Sequence, residues 1–265
     1  MTNPYLGRED APIQPETWSL LDSAMVEAAK SVLAGRRLLH IEGPYGLGLK
    51  AVPLEDCQVS ECMAVSQFVP VHLISTTFTV GIRDLLAFEQ NGLPFSAEAA
   101  AEAAIECARN EDTLIFEGGM GSPGLLELEG TGALKLSSWS TVGKAADDII
   151  QAMIRLDEAG YHGPYSLALA PSRYNLLFRR YLQGQSTELE HIRAIVTDGV
   201  YKAPPLKSGG VLLASGRRYA SIVLGQDMTV GFIGPIGDSL EFSITESLAL
   251  LVREPSSICV LKDKE

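Results

Sequence analysis

The chain of 265 residues lacks most of what membrane, nucleic-acid and catalytic proteins need. No stretch approaches the roughly 18 consecutive apolar residues of a spanning helix, so no membrane partner is expected. Met1 to Ala11 is polar and holds Arg8, Glu9 and Asp10. It has no apolar core or small-residue cleavage site of a signal peptide, which points to the cytosol. Positive charge is scarce: 21 Lys and Arg stand against 33 Asp and Glu, a net charge of -12. No basic run exceeds two residues (Arg36-Arg37, Arg179-Arg180, Arg217-Arg218). A protein that wraps nucleic acid needs cations against the phosphates, so that class of partner is disfavoured.

Metal and nucleophile signals are equally thin. The cysteines are Cys57, Cys62, Cys107 and Cys259, and only the first two are close, in a C-x4-C spacing. Zinc sites usually show two tight pairs of Cys or His, so ordinary reduced thiols are the better reading. His40, His72, His162 and His191 are scattered outside any H-x3-H or H-E-x-x-H arrangement. Ser122 in Gly119-Met120-Gly121-Ser122-Pro123-Gly124 misses the nucleophile elbow because Met120 stands where glycine is required. Gly143-Lys144 is followed by Ala145 rather than Ser or Thr, which spoils a phosphate loop. Gly46-Leu47-Gly48 runs into Ala51 and has no strand-helix context for a dinucleotide. Asp147 and Asp148 are adjacent on a helical segment, about 100° apart, and cannot share a proton. No enzyme activity, cofactor or metal is expected.

What the sequence does have is a core. It is 46% hydrophobic, and a chain of this length buries roughly 75% of its unfolded surface. Pro15 to Leu33 reads as an amphipathic helix with Trp18, Leu21, Met25, Ala28 and Val32 at spacings of three and four, stopped by Gly35. From Glu42 to about Val69, glycine and proline punctuation without a fixed period suggests a two-stranded arm. Val69 to Val80 reads as a strand. Ser96 can cap an alanine-rich helix reaching Phe116.

A second block follows. Helices are expected from Thr141 to Glu158, from Pro171 to just before Gly184, and after the Thr187-x-x-Glu190 capping box. Strands are expected at Tyr165 to Ala170, Val211 to Leu213 and Tyr219 to Leu224. Asp198-Gly199 reads as the turn that closes the last helix. Leu240, Phe242 and Ile244 then alternate with polar residues, and Ile258 to Leu261 forms a final strand. The chain is α+β, with one domain interrupted by another.

Several segments, in order along the chain, carry a resemblance. Ala11-Pro12-Ile13, Ala34-Gly35-Arg36-Arg37 and Glu42-Gly43-Pro44-Tyr45-Gly46 resemble the start of encapsulin shell proteins, also called the linocin-type bacteriocin family. Gly163-Pro164-Tyr165-Ser166-Leu167, Glu188-Leu189-Glu190-His191-Ile192, Leu224-Gly225-Gln226-Asp227-Met228 and Glu246-Ser247-Leu248 are similar to later segments of the same family.

The resemblance implies the major-capsid fold of tailed bacteriophages, the Hong Kong phage type, with four parts. These are an N-terminal helix region (1–42), an extended loop (43–69), a discontinuous peripheral domain (70–140 and 225–265) and an axial domain (141–224). It further implies a homo-oligomer closed as an icosahedral shell of the smallest size. The cargo would be a ferritin-like protein or a dye-decolourising peroxidase, captured through its C-terminal peptide. On this chain the matching peptide-binding residues are Trp18, Leu21, Met25 and Ala28, with Leu20 and Ala24 as the alternative groove-facing pair. A fivefold pore loop would fall on Asp198, Gly199, Val200, Tyr201, Lys202 and Ala203. A phage capsid protein is the first alternative reading, and a protease or bacteriocin the second.

Overall fold

Pro15, with φ already helical and no N–H to lose, opens helix α1 (Pro15–Val32) in the computed structural model, which describes residues 4–119, 121–182 and 184–264. The start of α1 has no side-chain cap of its own. Glu89 supplies one from another helix, accepting from the Gln14 amide at 2.8 Å and the Thr17 hydroxyl at 2.6 Å. A short helix α2 (Gly35–Leu38) and strand β1 (His40–Glu42) follow.

The arm is a thin double ribbon. β2 (Ala51–Pro53) pairs antiparallel with β5 (Phe68–Pro70), and β3 (Cys57–Ser60) pairs with β4 (Met63–Val65). Neither ribbon has a second layer to cover it, so Val59, Met63, Val65 and Phe68 lie half exposed or more. Cys57 stands opposite Val65 and Cys62 sits in the turn. The two thiols are therefore at opposite ends of one hairpin and do not face each other.

β6 (His72–Gly81), α3 (Ile82–Asn91) and the spine helix α4 (Glu98–Phe116) begin the body. The two-residue strands β7 (Gly118–Gly119) and β8 (Ser122–Pro123) and then β9 (Gly132–Lys135) lead to α5 (Lys144–Glu158). β10 (Tyr165–Leu169), α6 (Pro171–Leu176), α7 (Glu188–Ile195), β11 (Gly199–Lys202) and β12 (Gly210–Ala214) complete the middle of the chain. β13 (Ala220–Ile236), β14 (Ser239–Val252) and β15 (Ile258–Lys262) close it.

Two sheets organise these elements. The first has the order β1-β13-β14-β6, and the second β11-β10-β12-β15-β9. The helices α1 and α4 pack against the first sheet. Ala100, Ala103, Ala104, Cys107 and Ala108 of α4 are small enough to let α1 approach closely, and Leu21, Met25 and Ala29 fill the space. Phe242 is the hub on the sheet side. Phe78 stacks on it at 5.3 Å and Trp18 meets it edge-on at 5.7 Å, arrangements that aromatic quadrupoles favour. A middle core joins the sheets, with Ile115, Phe116 and Leu248 packed among Ala168, Val211 and Val260.

The second sheet overruns the expected domain boundary. β9 (132–135) and β15 (258–262) were expected in the peripheral part, yet both pair into the sheet built by residues 165–214. β15 is fully apolar from Ile258 to Leu261, and only a central strand position buries both its faces. Conversely, β13 starts at Ala220, before the expected crossing at 225.

Three helix limits also differ from expectation. The spine starts at Glu98 with Ala97 at the cap position; Ser96 reaches only the Glu98 amide, at 3.4 Å. α5 starts at Lys144 rather than Thr141, because Gly143 has φ +101°, outside the helical region. α6 ends at Leu176, and Arg179 closes its end with Nε donating to the Leu176 carbonyl at 2.9 Å. The Thr187–Glu190 capping box is present in both directions.

Candidate functional site

The helix stripe expected to meet cargo is largely the core stripe. Leu21 is wholly buried and Met25 nearly so, packed on the spine, so α1 offers these side chains inward. Trp18 is half buried against Phe242 and carries the Arg8 guanidinium 4.0 Å above its ring. Arg8 is held there by Asp22 at 2.6 Å. Ala28 is half buried, Ala24 likewise, and Leu20 is exposed. The expectation therefore needs correction: Leu21 cannot be touched by an incoming peptide, and Met25 only along one edge.

That edge belongs to a real groove. A cavity of about 510 Å³ lies between the C-terminal half of α1, the α2 turn, β1 and the β13 bulge. Its floor is apolar, with Met25, Ala29, Leu33 and Met228; Val26 and Ile41 form its exposed walls. Lys30, Arg36, Arg37 and Asp227 stand on the rim. The α1–α2 junction is tight because Gly35 leaves no room: a Cβ there would sit 2.6 Å from Ile115 Cδ1. Asp112 of the spine pins the same junction, accepting from the amides of Ala34 and Gly35 at 2.8 Å each. Burial pushes its carboxyl up to about 6, against the pull of those two amides.

Arg36 ties the groove to the interior. Its guanidinium donates to Glu111 at 2.9 and 3.0 Å, to Glu246 at 2.8 Å and to Asp227 at 2.6 Å. Glu111 and Glu246 are both wholly buried. Two buried carboxylates beside one guanidinium leave one negative charge without compensation, and the site relieves this with a proton. Burial and then the neighbouring Glu111 push Glu246 up to about 9. Burial alone would lower the pKa of Arg36, but Glu111 and Asp227 outweigh it and hold the guanidinium charged. Cys107, 3.3 Å from Glu246, is pushed far up by burial and by that carboxyl, so its thiol is inert.

The expected pore loop is not a loop. Gly199 to Lys202 is strand β11, parallel to β10 in the register Ser166–Gly199 to Leu169–Lys202. Val200 and Ala203 are buried, Tyr201 is half buried with its hydroxyl donating to the Asp198 carbonyl at 3.0 Å, and Asp198 and Lys202 reach solvent. Asp198 itself accepts from the Ser166 hydroxyl at 2.7 Å. The exposed excursion lies instead between α6 and α7, closed by a bridge between Arg180 and Thr187, with Leu182 fully in solvent. Its base is anchored by Glu188, wholly buried, whose carboxylate takes the amides of Gly143, Ala145 and Ala146 at the start of α5.

Among the described residues, no group of three His, Cys, Asp or Glu could hold a metal ion, and no helix is long and apolar enough to cross a membrane. A family model described as "Encapsulating protein for peroxidase" matches residues 1–249. The chain belongs to the encapsulin shell family.

Within this family, the chain is 32% identical to a type 1 encapsulin shell protein, EncA, of Myxococcus xanthus, across 97% of this chain and 96% of that protein. It is 28% identical to a diheme-cytochrome-encapsulin shell fusion protein of Kuenenia stuttgartiensis, covering 94% of this chain and 74% of the relative. In fold it is similar to a virus-like particle from Pyrococcus furiosus, with a TM-score of 0.77 and 24% identity over 93% of this chain and 100% of that one. The capsid of Myoviridae phage XM1 shares the fold at a TM-score of 0.59 and 12% identity, over 85% and 90% of the two chains. The encapsulin shell subunit thus has the tailed-phage capsid fold that its segments implied.

Proposed function

We propose that many copies of this subunit close into an icosahedral compartment of the smallest size and that each docks the C-terminal tail of a cargo protein in the α1–α2–β13 groove. The observation that carries this reading is the groove itself: an apolar recess of about 510 Å³ that the chain's own residues leave open. A short extended segment with apolar side chains suits such a recess, because burying them is favourable at roughly 25 cal/mol per Å². The arm supports closure, since its uncovered Val59, Met63, Val65 and Phe68 need a neighbouring copy to leave water. Relatives that fuse a shell to a ferritin-like protein or a diheme cytochrome support redox cargo of that kind, and a family described by its peroxidase supports a peroxidase. Pores would admit small molecules, with the exposed Asp198 and Lys202 beside the opening.

Co-expression tests the docking. A fluorescent protein ending in an apolar tail should co-elute with particles of this chain, and loading should fall when Val26→Asp and Ile41→Asp place charges in the groove walls. Undiminished loading by that variant would remove the groove from the account.

A further inference from the structure

The groove carries a charge pattern at odds with the rest of the chain. Against a net charge of -12, its rim presents Lys30, Arg36 and Arg37 with Asp227 as the one carboxylate. Arg36 and Asp227 neutralise each other at 2.6 Å, and the rest of the Arg36 guanidinium is engaged by Glu111 and Glu246. Asp227 also caps its neighbour, taking the Met228 amide at 2.8 Å. Two cations remain. Lys30 and Arg37 are exposed and make no ion pair among the described residues; Arg37 lies 5.8 Å from the Tyr201 ring and acts at longer range on the buried Asp112 carboxyl. Glu27, one turn before Lys30 and exposed, forms no bridge to it either.

We infer that the groove selects an apolar tail flanked by acidic side chains, with Lys30 and Arg37 pairing with its carboxylates while Met25, Ala29, Leu33 and Met228 take its apolar anchors. This rests on the reading of the groove as the cargo-tail site. The two cations carry the charge complementarity: they stand on the rim of an apolar floor, in a chain of net charge -12. The general field of an acidic shell disfavours an acidic tail, so a preference for one has to come from the groove.

The test compares fluorescent cargo carrying one designed tail in three versions, with the same leucine anchors flanked by Asp-Glu, by Ser-Ser or by Lys-Lys pairs. Each is co-expressed with the full chain, and cargo per particle is read from purified shells. The Asp-Glu tail should load roughly threefold to tenfold better than the Lys-Lys tail, the scale of two exposed ion pairs. In Lys30→Glu/Arg37→Glu shells the order should invert. In Lys30→Ala/Arg37→Ala shells, which need no new charge to be accommodated, the advantage of the Asp-Glu tail should be lost. Equal loading of all three tails in the native shell, or better loading of Lys-Lys, overturns the charge selectivity and leaves the apolar groove standing. Intact particles that load none of the tails overturn the groove reading as well.

Discussion

The arm and the spine helix use similar side chains to opposite ends. Along the spine, Ala100, Ala103, Ala104, Cys107 and Ala108 are wholly buried or nearly so, because α1 covers one side and the first sheet the other. Along the arm, Val59, Met63, Val65 and Phe68 are 50% to 64% exposed, because two paired strands have no second layer. An isolated two-stranded ribbon is marginal in water. The spine region therefore buries its apolar side chains within one chain, whereas the arm leaves its own in water.

Substitutions sharpen that contrast in order of effect. Arg36→Ala would remove the cation that two buried carboxylates share, costing about 3–5 kcal/mol, and denaturant unfolding should show it. A loss below about 1 kcal/mol would mean that Arg36 is not what holds the two buried carboxylates in place. Leu21→Ala should cost about 2–5 kcal/mol, as a fully buried leucine beside a rigid spine. Leu20→Ala, one residue away and exposed, should change stability by less than about 0.5 kcal/mol.

The pH dependence of the spine region comes next in size. Glu246 keeps its proton up to about 9 in the folded chain, against an ordinary value of 4.5. Its contribution to stability is whole below about 4.5 and drains away as pH rises toward 9, where the interior must accept a second negative charge. Glu246→Gln, permanently neutral, should flatten this decline in melting temperature; parallel slopes for the two proteins would contradict the shared proton. The smallest effect on the subunit belongs to the arm. Val59→Asp with Met63→Asp should leave subunit unfolding within about 0.5 kcal/mol of native while particle formation fails in size-exclusion chromatography. Unimpaired particles would show that the arm is not an assembly surface.

Local signals revealed much of this in the sequence. The α1 period, the alanine-rich body of the spine and the Thr187–Glu190 box lie where the sequence pattern puts them, although the spine starts two residues past the expected Ser96 cap. Features made by distant residues were hidden. Glu188 reaches from α7 to cap α5, and Glu89 reaches from α3 to cap α1. The turn expected at Asp198-Gly199 is present at Asp198, but Gly199 already opens an edge strand whose Val200 is buried, set by its pairing with distant β10. At the groove, the helical period identified the buried side of α1 correctly as apolar but not as inaccessible. The edge that lines the groove, Val26 and Lys30, encloses a cavity only when Arg36, Ile41 and Met228 arrive from α2, β1 and β13.

Electron microscopy of the purified chain decides whether the subunit builds a closed shell. Uniform hollow spheres of icosahedral symmetry, with the arm of each subunit lying on a neighbour, are expected. Dispersed monomers or open, irregular aggregates from well-folded protein would contradict it.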